Sequence, residues 1–246
     1  MLRPRLRKQY FDAVSPDGRW RIAYRAHLSV MGLAVAYEEL NGNGLSKPWW
    51  RIVAGSAAGP ARFGSGAARA EWISRSPPAP RVFETDAFVW RLTGLGGDFA
   101  TDQDGPWETY SEELQLKVGP WALGLNKLSW GRVATDDLFV TWIVGDGPRP
   151  VRFAVMGGQA FSDSVTFDGE RLTTPAGELR LGDVLHVVSH GDVRADRAPL
   201  IRAVSRLAFG AGAIRQDKAS RRCDVSLTGK PKRSAVAIAE VVVFEP

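Results

Sequence analysis

The sequence predicts an all-β protein in which many short antiparallel strands form a sandwich or a barrel. Three observations carry that expectation. Apolar and polar residues alternate with a period of two in several separate runs. Turn pairs punctuate the runs: Asp17-Gly18, Asn41-Gly42, Asp146-Gly147 and Asp168-Gly169. No strand–helix–strand alternation of the kind that builds a parallel sheet occurs.

Taken in order, "RWRIAYRAHL" sends Trp20, Ile22, Tyr24, Ala26 and Leu28 one way and Arg19, Arg21, Arg25 and His27 the other. "SAAGPARFGSGAARA" (56–70) and "SRSPPAP" (74–80) are expected as loops, rich in Gly, Ala and Pro. The period of two returns in Asp86, Phe88, Trp90 and Leu92, in Leu138, Val140, Trp142 and Val144, and in Val151, Phe153 and Val155. "SVTFDGERL" and "GELRLGDVLHVVSHGD" read as successive short hairpins. "APLIRAVSRLAFGAG" reads equally as one short helix or as a strand and a turn. The closing "AVAIAEVVVFEP" is apolar enough to be a strand buried on both faces.

The chain has 246 residues, 44% hydrophobic and 24% charged, enough for one large domain or two small ones with a substantial core. No apolar run approaches the ~20 residues that span a bilayer. "MLRPRLRKQYFDAVSPDG" is basic but carries no apolar stretch after its charges, unlike a secretory signal. A single cysteine, Cys223, makes no internal disulfide, although its neighbours in "RRCDV" could activate it. A cytoplasmic protein is the expectation. Nine tryptophans occur and none after residue 142, so the two halves have different tasks. Basic residues gather at 1–10 and at 194–233, where eleven face only three acids. They suit an anionic membrane surface or, more plainly, a solvated sheet edge. Without interleaved aromatics they do not suit nucleic acid.

Cofactor motifs are incomplete. Gly64, Gly66 and Arg69 leave a dinucleotide fingerprint without its third glycine. Asp102, Asp104 and Gly105 suggest a calcium loop, but Ala100 and Ser111 stand where its first and last ligands belong. His186 and His190 have no third ligand, so neither metal nor nucleotide cofactor is expected. What remains is an aromatic set, Trp90, Trp107, Tyr110, Trp130 and Trp142, among the acids Asp86, Glu108, Asp136 and Asp137. Aromatic faces stabilise a carbocation, and a carboxylic acid in an apolar wall can deliver a proton. The same residues equally make a passive hydrophobic pocket.

"LNKLSWGRVATDDLFVTWIV" (125–144) and "FDAVSPDGRWRIAYRAHLSV" resemble segments of the carotenoid 1,2-hydratases, the hydroxyneurosporene synthases. Tocopherol cyclases and fungal decalin-forming Diels–Alderases are looser relatives of that family. The resemblance implies two lipocalin-like β-barrel halves packed together, 1–123 Trp-rich and 124–246 basic, around an isoprenoid or polyene ligand. The family's Asp-His-x-Trp-Gly motif falls on Lys127, Leu128, Ser129, Trp130 and Gly131. Trp and Gly match while the acid and the histidine do not, so the proton-handling pair does not carry over.

Three functions therefore stay open. An enzyme would hydrate, cyclise or fold a polyene-like substrate, with Asp136 or Asp137 as the acid and the five aromatics as pocket walls. A carrier would only enclose the molecule. A carbohydrate-binding sandwich would stack sugars on exposed tryptophans, for which Trp49-Trp50 is the one candidate.

Overall fold

The computed structural model describes residues 5–30, 33–43, 45, 48–53, 61–65, 69–74, 81–101, 105–117, 124–135, 137–193, 199, 202–203, 206 and 212–245. The chain divides into two compact units. The first is Met1–Ala13, Trp20–Leu123 and Arg194–Gly212, and the second is Val14–Arg19, Gly124–Val193 and Ala213–Pro246. The exchange of 14–19 between the halves has a visible cause in the second unit. There the Ser220 hydroxyl donates to the Gly18 carbonyl at 2.8 Å, and the Leu185 side chain fills the space beside Gly18.

The first unit holds β1 (Arg5–Val14), β2 (Trp20–Val30), β3 (Leu33–Gly42), β4 (Trp49–Val53), β5 (Ala61–Phe63), β6 (Ala70–Ser74), β7 (Val82–Glu84), β8 (Phe88–Leu95), β9 (Gly97–Thr101) and β10 (Glu108–Leu116). Seven strands form one sheet in the order β4-β3-β2-β1-β10-β8-β7, and β5-β6-β9 form another. The two sheets meet through Ala13, Ala23, Leu40, Phe63, Ala70 and Trp72, and the Trp72 indole donates to the Asp12 carbonyl at 2.9 Å.

The second unit holds β11 (Lys127–Ala134), β12 (Phe139–Asp146), β13 (Val151–Met156), β14 (Gln159–Phe161), β15 (Thr166–Phe167), β16 (Arg171–Thr174), β17 (Gly177–Asp192), β18 (Ile214–Leu227) and β19 (Arg233–Phe244). All nine form one sheet, β14-β13-β12-β11-β19-β18-β17-β16-β15. Every neighbour in this order follows in sequence except β11 and β19, the unit's first and last strands. The sheet curls on itself. Trp142 of β12 comes within 5.7 Å of Phe167 at the far edge, and the Thr174 hydroxyl of β16 reaches the Met156 sulfur of β13 at 3.3 Å. This is the up-and-down plan of a lipocalin-like, all-β fold.

Several local expectations change. Asn41-Gly42 ends β3 instead of making a tight turn, and the Arg21 side chain lies against Gly42. The expected loop 56–70 contains β5, whose Phe63 is buried by the aromatic core. "GELRLGDVLHVVSHGD" is one sixteen-residue strand, not a set of hairpins. Its Gly182-Asp183 is a bulge whose carbonyl accepts both Nε and Nη2 of Arg221. In "APLIRAVSRLAFGAG" the described residues Pro199, Arg202, Ala203 and Arg206 are helical.

The part of the basic segment that forms β18 is not a sheet edge, because β18 lies inside the nine-stranded sheet. Its cations meet acids of neighbouring elements: Lys218 pairs with Glu240 at 2.9 Å and Arg215 with Glu245 at 3.1 Å. Arg21 and Arg25, on the face of β2 opposite to Trp20 and Ile22, are buried, and Arg25 pairs with Glu38 at 2.5 Å.

Candidate functional site

The second unit contains a cavity of about 240 Å³. Its construction follows from one row of residues that runs across five strands. Trp142 of β12 is opposite Gly131 of β11, Gly131 opposite Ala239 of β19, Ala239 opposite Ala219 of β18, and Ala219 opposite Val187 of β17. Directly paired residues share a face of the sheet. The three central positions carry only Gly, Ala and Ala, so the row forms a shallow trough with Trp142 at one end. The indole lies across Gly131, where any Cβ would collide with its Cζ2 and Cη2. Phe167 and Leu181 complete the apolar wall.

The neighbouring row on that face sets His190 opposite Asp217, and Asp217 opposite Val241. The His190 Nδ1 is hydrogen-bonded to Asp217 Oδ1, and both side chains border the cavity while largely exposed. This pairing fixes the imidazole through one nitrogen, the arrangement by which a carboxylate orients a proton-transferring histidine.

Trp130 also borders the cavity, but Trp142 is paired with Gly131, so the two tryptophan side chains leave opposite faces of the sheet. On its own face Trp130 is opposite Glu240, and the Lys218 ammonium lies 4.9 Å from the Trp130 ring centre. Lys218 and Glu240 form an ion pair that is mostly buried.

Trp90 and Tyr110 belong to the first unit, where both donate to Glu112 Oε2, the tyrosine hydroxyl at 2.6 Å. Tyr10 packs edge-on against Tyr110 at 6.4 Å. Trp107 stands in a different aromatic stack, 5.2 Å from Phe99, which is 4.8 Å from Trp72. The five aromatics singled out by composition thus fall into three places: Trp130 and Trp142 at the cavity, Trp90 and Tyr110 at Glu112, and Trp107 in its own stack.

Asp136 lies outside the described residues. Asp137 sits in the exposed β11–β12 turn, ion-paired with Arg233 and accepting from the Thr135 hydroxyl at 3.2 Å. The Arg233 hydrogen bond, then that of Thr135, hold its carboxyl below the ordinary carboxylate value. An acid that delivers protons near neutrality needs the opposite shift.

A wider depression of about 860 Å³ in the same unit is lined by Arg180, Asp183, Arg222, Asp224 and Lys232. Size does not make it the better site, because its walls are solvated charge. Asp224 is paired with Lys232 at 2.8 Å and accepts from Ser234 at 2.7 Å. Cys223 lies at its edge, and burial pushes its thiol up to about 12, so the neighbouring arginines do not activate it.

Trp49 and Trp50 are adjacent in β4 and so point to opposite faces; Trp49 packs on the core and Trp50 is exposed. They do not form one flat sugar platform.

Sequence reasoning missed Glu112, Lys218, Glu240 and the His190–Asp217 pair. Glu112 had a signal, since Tyr110, Glu112 and Leu114 alternate onto one face. The others had none, because local alternation does not say which residues of neighbouring strands stand opposite each other.

No protein-family profile matches the chain, and neither does any curated protein. Among solved structures the chain is similar to CghA with Sch210972, at 10% identity and a TM-score of 0.49, over 98% of this chain and 88% of that one. It is also similar to a candidate AttH from Nitrosomonas europaea, at 12% identity and a TM-score of 0.45, over 99% and 93%. Kievitone hydratase from Nectria haematococca is similar at 8% identity and a TM-score of 0.44, over 96% and 88%.

Proposed function

We propose that the second unit binds a hydrophobic small molecule of isoprenoid- or polyene-like chemistry in the trough beside Trp142. The observation that carries this reading is the five-strand row Trp142–Gly131–Ala239–Ala219–Val187, which leaves an apolar space where a barrel core would ordinarily be filled. At about 240 Å³ it is smaller than the ~300–1,000 Å³ of drug-sized sites, so it takes a short isoprenoid or one end of a longer chain.

β-Ionone, a short isoprenoid, tests the reading by calorimetry against wild type and an Ala219→Phe variant that fills the trough. Binding to wild type and its loss in the variant support the site. Binding that ignores the substitution, or no binding beside a response to oligosaccharides, defeats it.

The His190–Asp217 pair at the mouth favours a second reading, in which the bound molecule is also protonated or deprotonated there. Under it, His190→Ala keeps ligand binding but loses conversion of the molecule extracted from the native host. Conversion that survives removes His190 from the chemistry and defeats this second reading.

A further inference from the structure

We infer that the ligand is an amphiphile whose hydrocarbon end lies in the trough and whose anionic head, a carboxylate, is held by Arg221 where the trough meets the charged depression. This rests on the trough being a ligand site.

The inference starts from the border between the two cavities of the second unit. Leu181, Val184 and Arg221 line both the apolar trough of about 240 Å³ and the wider depression of about 860 Å³. A molecule too long for the trough therefore leaves it past these residues. The far side of the border is polar, with Arg180, Arg222 and Asp224 among its walls. A bare hydrocarbon would lose its apolar surroundings there, whereas a chain with a polar head keeps each end in its own medium.

Arg221 gives the head its sign. In β18 it alternates with Ala219 and Cys223 and pairs with Ala237 of β19, so its side chain leaves the strand on the trough face. Ala237 and Cys223 are buried in the core of the unit, which makes a cation unusual in that place. Arg221 itself is half-buried and open to both cavities. The other charged residues that border the trough are paired with each other: His190 bonds Asp217, and Lys218 meets Glu240. Among the described residues Arg221 has no carboxylate partner; its Nε and Nη2 donate instead to the Gly182 carbonyl at 3.0 and 2.8 Å. Those bonds fix the guanidinium by one edge. They leave the end-on hydrogens of Nη1 and Nη2, a fork that meets a carboxylate with two parallel hydrogen bonds. The bulge in β17 thus orients the cation before the ligand arrives.

Geranic acid and its methyl ester isolate the head, because they share one isoprenoid skeleton and differ in charge. Calorimetry on wild type near neutral pH is expected to favour the acid by roughly tenfold. In Arg221→Met, which keeps an apolar stem and removes the guanidinium, the two affinities converge. Equal affinities in wild type, or a preference for the acid that survives Arg221→Met, overturn the inference while leaving the trough as a binding site. Tighter binding of geranylamine, the matching cation that Asp183 at the border would attract, overturns it as well. If none of the three probes binds, the ligand site itself falls and the inference with it. Should Arg221→Met fail to fold, Arg221→Gln, whose amide can still donate to the Gly182 carbonyl, carries the same expectation.

Discussion

Gly131 lies beneath the indole of Trp142, its directly paired neighbour on the adjacent strand, and the ring occupies the volume a side chain would take. The glycine therefore shapes the cavity without lining it. It lets the largest side chain of β12 lie flat, and that posture sets the end wall of the trough.

The first prediction concerns this contact. Gly→Ala in an ordinary strand position is neutral or stabilising, since it restricts the unfolded chain. At Gly131 the added methyl meets the ring, so Gly131→Ala is expected to lose about 1–3 kcal/mol. Urea unfolding with an unchanged m-value checks it. A stabilised variant would show that the indole moves aside freely.

Glu112 gathers two buried donors, the Trp90 indole and the Tyr110 hydroxyl. Glu112→Ala removes the acceptor from both and is expected to cost about 3 kcal/mol, while Glu112→Gln, which keeps a carbonyl oxygen, costs under about half of that. The comparison of the two unfolding midpoints is the test. Equal losses would assign the effect to the charged carboxylate, which neither the bulk nor the single carbonyl oxygen of Gln replaces.

Asp137 supplies a pH dependence. Its folded value lies below the ordinary 3.8, chiefly through the Arg233 hydrogen bond. The pairing therefore contributes stability above that ordinary value and loses it as pH falls through the lowered one. A ¹³C-carboxyl titration is expected to place Asp137 below 3.8 in wild type and nearer to it in Arg233→Ala. A midpoint near neutrality would return Asp137 to candidacy as a proton donor.

Cys223 is buried, with its thiol raised to about 12. At pH 8 the native protein is expected to resist iodoacetamide for hours, while the chain in guanidinium is alkylated within minutes. Mass spectrometry reads both. Rapid native alkylation would mean that β18 opens locally, since the thiolate fraction in the closed state is negligible.

Much of the molecule was legible in its residues because alternation is a local property. The face of β12 that carries Val140, Trp142 and Val144 follows from period two alone, as does the turn at Asp168-Gly169, where Gly169 has a φ of +108°. The bulge in β17 was not legible, because Gly182-Asp183 has the composition of a turn and becomes a bulge only when Arg221 of the next strand takes its carbonyl.

What the sequence by itself determined is the strand character of the chain and which residues of each strand share a side. Only the tertiary structure decided which strands meet. The pairings of β1 with β10 and of β11 with β19 join segments about a hundred residues apart, and they place Glu240 opposite Trp130, and Gly131 and Ala239 in one row. Local alternation says nothing about a partner. Register across such a distance is set when complementary faces are brought together against the entropy of closing a long loop. The trough arises at that step, through the pairing of Gly131 with Ala239.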